Sequence, residues 1–226
     1  GYFFGICLAL GGALVGPSQG WQADLIGIGL YGILAIVLML IAGFLCEKIL
    51  LPSFSNTKEI IEDQNLGTAF VEAGMHIANG LIVLAIVQGE GPLVSGIAFW
   101  LLAQVVLIVA GRLYEMITPH SIHDELERDN AAVGLAFAGL LVGMGNIISI
   151  AVAGDYSGWQ VGLQVFAMDV GFGFVALYGI HKLTDVILAP GISLGSEQVK
   201  QQPNVGAGLI EAIGYLGGST LIVWIF

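Results

Sequence analysis

The six basic residues of this chain lie in three short stretches, and those stretches fall on alternate sides of long apolar runs. Lys48 and Lys58 stand in the first stretch, Arg112 and Arg128 in the second, Lys182 and Lys200 in the third. The intervening connections, residues 17–24, 88–91 and 154–158, hold no Lys or Arg. This is the positive-inside pattern of a polytopic membrane protein. It restricts the fold to helices that cross a bilayer, with the cation-bearing links on one side.

The composition agrees. The chain is 57% hydrophobic and only 10% charged, whereas a water-soluble domain carries about 25% charged residues. A run of about 20 apolar residues crosses a hydrocarbon core of ~30 Å. Seven runs qualify, the first of them short: 1–15, 25–45, 66–87, 92–113, 131–153, 161–180 and 205–226. The expected fold class is therefore all-α integral membrane, with about seven transmembrane helices. The net charge is −11, and the links mix both signs. Nucleic acid is not an expected partner; the lipid bilayer is. The first run has no basic leader and no small-residue cleavage pattern, so it does not read as a signal peptide. Cys7 and Cys46 belong near opposite ends of different helices, which argues against a disulfide.

Self-comparison exposes a repeat. Displaced by 138 residues, Gly1 falls on Gly139, Gly5 on Gly143 and Gly16 on Gly154. The triplet Gly20, Trp21, Gln22 falls on Gly158, Trp159, Gln160, and Pro52 falls on Pro190. One residue further, Asn65 falls on Asn204 and Glu72 on Glu211. Within each half a helical hairpin recurs. Its parts are an apolar helix, a proline (Pro52, Pro119, Pro190), a polar link, an asparagine (Asn65, Asn130, Asn204) and a second apolar helix. Two pseudo-symmetric halves follow, residues 1–92 and 93–226. The register also predicts eight spans in the whole protein, with one helix and its Asn preceding Gly1. The links 55–64 and 121–129 place Ile or Leu among charges; a short interfacial helix and a plain solvated loop both fit.

The second link and the helix after it read ITPH (117–120), ELERDN (125–130) and AAVGLAFAG (131–139). This resembles the bacterial inner-membrane family typified by YjfL, the domain of unknown function 350, here as a tandem-duplicated member. The resemblance implies a helical protein of the bacterial inner membrane, with the Lys/Arg links cytoplasmic. It implies no activity and supplies no catalytic residue.

Four residues inside the apolar runs are candidates for an ion or proton site: Glu72, His76, Asp169 and Glu211. Glu72 and Glu211 each follow their Asn by seven residues, about 10 Å along a helix. A carboxylate at that depth must face protein or water. Matching acids in two halves suggest one shared polar site; packing through hydrogen bonds between helices is the other reading. The corresponding residue of the middle hairpin is Phe137. His76, four residues after Glu72, shares its helix face and serves either as a proton relay or as a structural partner. Asp169 is either a site residue or a partner for Glu211. Arg112 ends its span, where it snorkels to the interface or meets a carboxylate. His120, His123 and Asp124 read as a solvated link rather than a metal site. Asn65, Asn130 and Asn204 read as helix N-caps, a repeated capping signature.

Glycine fills 34 of 226 positions, about twice its usual share, in small-xxx-small spacings that allow close helix contact. No nucleotide-binding, metalloprotease, redox or nucleophile motif is present. The chain therefore does not read as an enzyme and implies no cofactor and no metal. Two functions fit. The first is a structural or accessory subunit of a membrane assembly, as a homo-oligomer or within a larger membrane-protein complex. The second is a channel or transporter for protons, cations or a small solute, using the intramembrane carboxylates.

Overall fold

The computed structural model describes residues 1–15, 20–50, 58–89, 91–154 and 156–225. Gly16, Pro17, Pro52 and residues 55–57 of the first link lie outside the described residues. So do Glu90 and Asp155, acids of two of the connections without Lys or Arg.

Nine α-helices are present among the described residues: α1 (Tyr2–Leu14), α2 (Trp21–Leu50), α3 (Leu66–Gln88), α4 (Leu93–Ile117), α5 (Ile122–Glu127), α6 (Ala131–Ala153), α7 (Trp159–Leu188), α8 (Leu194–Gln198) and α9 (Val205–Ile225). A π-helical turn, Lys58–Glu62, precedes α3. Among the described residues six helices are long and apolar enough to cross a membrane: α2, α3, α4, α6, α7 and α9. The first expected run is also an apolar helix, but its 13 residues fall short of spanning length.

Both α2 and α7 extend beyond their apolar runs to 30 residues each, about 45 Å at 1.5 Å per residue. Their polar turns, holding Glu47 and Lys48 or Lys182 and Asp185, continue the helix past the apolar run. Both open on the repeated Gly-Trp-Gln triplet. Gly20 and Gly158 take φ of 109° and 106°, a left-handed conformation that Gly adopts without steric cost.

Four helices pack side by side in the order α1, α3, α6, α9, with α2, α4 and α7 against their flanks. The four run parallel, because residues early in one meet residues early in the next. Gly67 faces Gly134 and Ala78 faces Gly145 across α3 and α6; Ala132 faces Gly208 and Gly139 faces Ala212 across α6 and α9. The backbones approach so closely that a side chain would not fit. A Cβ on Gly80 would lie 2.5 Å from Gly5 O, one on Gly134 2.3 Å from Gly67 O, and one on Gly208 2.1 Å from Ala132 O. Helices in lipid gain no hydrophobic stabilisation from association, so van der Waals contact through small residues takes its place. α6 is the most enclosed span and α7 the least.

The link at 121–129 resolves the choice between helix and loop: α5 is a short helix. Its apolar residues Ile122 and Leu126 are buried under the bundle rather than turned to a lipid surface. At the ends of two links, Gln64 and Asp129 share φ of 57°, and each turns the chain into the following Asn.

Candidate functional site

The three asparagines cap their helices. Asn65 Oδ1 accepts from Thr68 N at 2.8 Å, Asn130 Oδ1 from Ala132 N at 3.0 Å and Val133 N at 3.2 Å, and Asn204 Oδ1 from Ala207 N at 3.3 Å. The first two also reach sideways. Asn65 Nδ2 donates to Leu126 O at the end of α5 (2.7 Å), and Asn130 Nδ2 donates to Gln198 O at the end of α8 (2.8 Å). Each cap thus ties its helix to the next link. Asp129 adds a carboxylate at the start of α3, accepting from Leu66 N at 2.7 Å, where the helix dipole favours negative charge.

Arg112 and His123 act at the opposite kind of terminus. Arg112 Nη2 donates to Ile49 O at 2.7 Å, and His123 Nε2 lies 3.0 Å from Leu50 O. Both therefore bind the last carbonyls of α2. Glu115 joins them, 3.4 Å from Arg112 Nη1 and 2.8 Å from His123 Nδ1. Arg112 is in this way both carbonyl-bound and paired with a carboxylate. His120 lies nearby on the inside of the link, where burial lowers its pKa against the opposing pull of Glu125 and Glu211. Among the described residues no group of three His, Cys, Asp or Glu side chains is placed to hold a metal ion.

Among the described residues Glu211 is the most enclosed acid, 2% exposed. Four donors from four helices converge on it. Tyr114 OH of α4 meets Oε1 at 2.9 Å, His181 Nδ1 of α7 at 3.0 Å, and Tyr215 OH of α9 at 3.3 Å; Gln198 Nε2 of α8 meets Oε2 at 2.5 Å. Tyr215 OH also lies 3.1 Å from His181 Nδ1. Phe137, at the place of the missing acid of the middle hairpin, stacks on Tyr114 at 5.7 Å between ring centroids. It holds the ring whose hydroxyl reaches Glu211.

Glu72 is placed differently. His76 Nε2 is 3.5 Å from Glu72 Oε1, and the pair stands on α3 with His76 buried. The His76 ring packs on Gly43 of α2 and meets Tyr2 of α1 edge to face. The two glutamates do not share a site, because α6 stands between α3 and α9. Nor does Asp169 partner Glu211. The α7 residue at the level of Glu211 is His181, and the 12 residues separating it from Asp169 amount to about 18 Å of helix. Asp169 instead borders a small crevice with Ile147, Ile150, Phe172 and Ile222.

The sequence reading overlooked Tyr114, His181 and Gln198. Each comes from a different element than Glu211, so no spacing along one helix joins them to it. Tyr114 and His181, each one residue past the end of an apolar run, and Tyr215 inside one were the available signal.

Comparison with known proteins places the chain. The profile described as Domain of Unknown Function (DUF350) matches residues 1–87 and 90–226. The chain is similar to the UPF0719 transmembrane protein YshE of Bacillus subtilis (strain 168), with 24% identity over 136 residues, 60% of this chain and 99% of that protein. No solved structure matches.

Proposed function

The chain belongs to the family of the Domain of Unknown Function (DUF350), and on that premise we propose that it is a non-catalytic structural or accessory subunit of an assembly in the bacterial inner membrane, with its Lys/Arg links in the cytoplasm. One observation carries this reading. The most enclosed acid among the described residues, Glu211, has both oxygens occupied by partners from α4, α7, α8 and α9. It joins helices rather than facing a path. The glycine-packed row supports the same role, since it presents a stiff wall of parallel helices. We read the two halves as duplicated hairpins, each contributing two helices to that wall.

Chemical cross-linking in native membranes, followed by mild-detergent purification, tests the proposal. The expected product is a defined complex, either with further copies of the chain or with another membrane protein. Recovery as a lone monomer without cross-links would reject the structural reading. Thiol labelling at residues placed next to Lys58 and Lys200 tests the topology; both sites are expected to react from the cytoplasmic side only.

A further inference from the structure

A second polar cluster lies where α2, α3 and α4 meet. Asn79 Nδ2 donates to Met75 O at 3.0 Å and lies 3.5 Å from Cys46 Sγ, and the Cys46 thiol points to Gln104 Oε1 at 3.9 Å. Asn79 and Cys46 are 0% exposed, Gln104 2% and Trp100 3%. His76 and Glu72 continue the same face of α3 toward the capped end, at i−3 and i−7 from Asn79. Trp100 continues the face of α4 the other way, four residues before Gln104.

Five buried polar atoms of this cluster have no partner among the described residues: Glu72 Oε2, His76 Nδ1, Asn79 Oδ1, Trp100 Nε1 and Gln104 Nε2. A buried polar group without a partner is costly, and native proteins rarely leave one so. Here the Glu211 cluster provides the contrast, since both oxygens of that related glutamate are bonded. The five atoms are chemically mixed. Trp100 Nε1 and Gln104 Nε2 donate only, Glu72 Oε2 and Asn79 Oδ1 accept, and the imidazole nitrogen does either. A bare cation would be repelled by the donors and an anion by the carboxylate. Water both donates and accepts, and satisfies all five.

One end of the cluster is partly exposed. Glu72 keeps 27% of its side chain exposed. At the other end, Gly96 and Phe99, which precede Trp100 in α4, join Ser95 and, from α2, Leu34 and Leu38 in lining a cavity of about 280 Å³; the five polar residues do not themselves line it.

We propose that Glu72, His76, Asn79, Gln104 and Trp100 form a hydrated proton-exchange track between this cavity and the cytoplasmic side. Each transfer breaks one O–H bond, or an N–H bond at His76, as the next forms. A proton enters from the cavity, passes between waters held by Trp100, Gln104 and Asn79, and reaches the Glu72–His76 pair, which releases another to the aqueous side. No redox step or co-reactant is involved. The ionisable groups facing the track from neighbouring elements are Tyr2 of α1 and Cys46 of α2. α6 has no ionisable side chain. Arg112 and Glu115 of α4 are paired to each other near the capped end, and Lys58 and Glu59 of the π-helical turn pair with Asp63 and Asn65.

Two measurements on the full chain in liposomes test the proposal. In the Cys7→Ser protein Cys46 is the single thiol. Silver ion, small and hydrophilic, is expected to titrate it in the folded protein, and Gln104→Met is expected to slow the reaction. A thiol that reacts only after denaturation would overturn the hydration of the track. Proton entry is read with a trapped pH dye under a potassium diffusion potential. Wild type is expected to exceed protein-free vesicles, Glu72→Gln and Gln104→Met to fall to that background, and Asp169→Asn to behave as wild type. Wild-type flux equal to protein-free vesicles, or unchanged flux in Glu72→Gln, would overturn proton passage.

Discussion

Tyr114 and Glu211 lie 97 residues apart in the chain, yet the Tyr114 hydroxyl donates to Glu211 Oε1 at 2.9 Å in the interior of the bundle. The bond joins α4 to α9, two spans that contact the central α6 rather than each other along their length. Glu211 thereby joins α4, α7, α8 and α9 through a shared acceptor.

Removing that acceptor leaves Tyr114 and Gln198 as buried donors without a partner and Tyr215 with His181 Nδ1 alone. Glu211→Ala is expected to destabilise the protein by about 3–5 kcal/mol, the usual cost of deleting one member of a buried charged network. Glu211→Gln should fall between the two, because its carbonyl still accepts from the tyrosines while its amide opposes Gln198 Nε2. Thermal unfolding in detergent, followed by circular dichroism, ranks the three proteins.

The glycines divide into those that touch a neighbouring backbone and those that do not. Gly134→Ala places a Cβ 2.3 Å from Gly67 O, so α3 and α6 must separate and the melting temperature should drop. Nothing lies within 4 Å of a Cβ at Gly171. Gly171→Ala is expected to be neutral or to stabilise by up to about 1 kcal/mol through helix propensity. Equal effects from the two substitutions would contradict the packing described.

The caps differ in reach. Asn130→Ala loses both a helix cap, worth about 0.5–2 kcal/mol, and the tie to Gln198 O. Asn204 caps only its own helix among the described hydrogen bonds. The Asn130 variant should therefore be the less stable, and amide hydrogen exchange at the start of α6 and across α8 should rise together in it.

His120 predicts a pH dependence. Its folded pKa is lowered by burial from an unfolded value near 6.5. The unfolded chain thus takes up the proton first as pH falls. The stability associated with neutral His120 is complete above about 6.5 and declines below it, until the folded protein also protonates. His120→Gln should flatten the melting temperature against pH across that window. An unchanged profile would show that His120 carries no such linkage.

Much of the architecture was legible from the chain alone, because hydrocarbon enforces it. Backbone groups in lipid must be bonded within each segment, so long apolar runs become helices wherever they occur. The Asn caps were equally readable, since a cap acts on amides two or three residues away. So was the pairing of Glu72 with His76 one turn apart. Helix ends were less so. α2 and α7 outran their apolar runs because the polar turns beyond those runs remain helical.

The polar interior was decided by tertiary structure. Periodicity relates residues on one helix, and it does not encode the rotation or vertical offset between two. The expected meeting of Glu72, Asp169 and Glu211 fails on those two variables, since α6 separates the glutamates and Asp169 lies too far along α7. Tyr114, His181 and Gln198 reach Glu211, and Cys46 and Gln104 reach Asn79, only because backbone contacts at Gly134, Gly139 and Gly208 set how deeply each helix sits against the next.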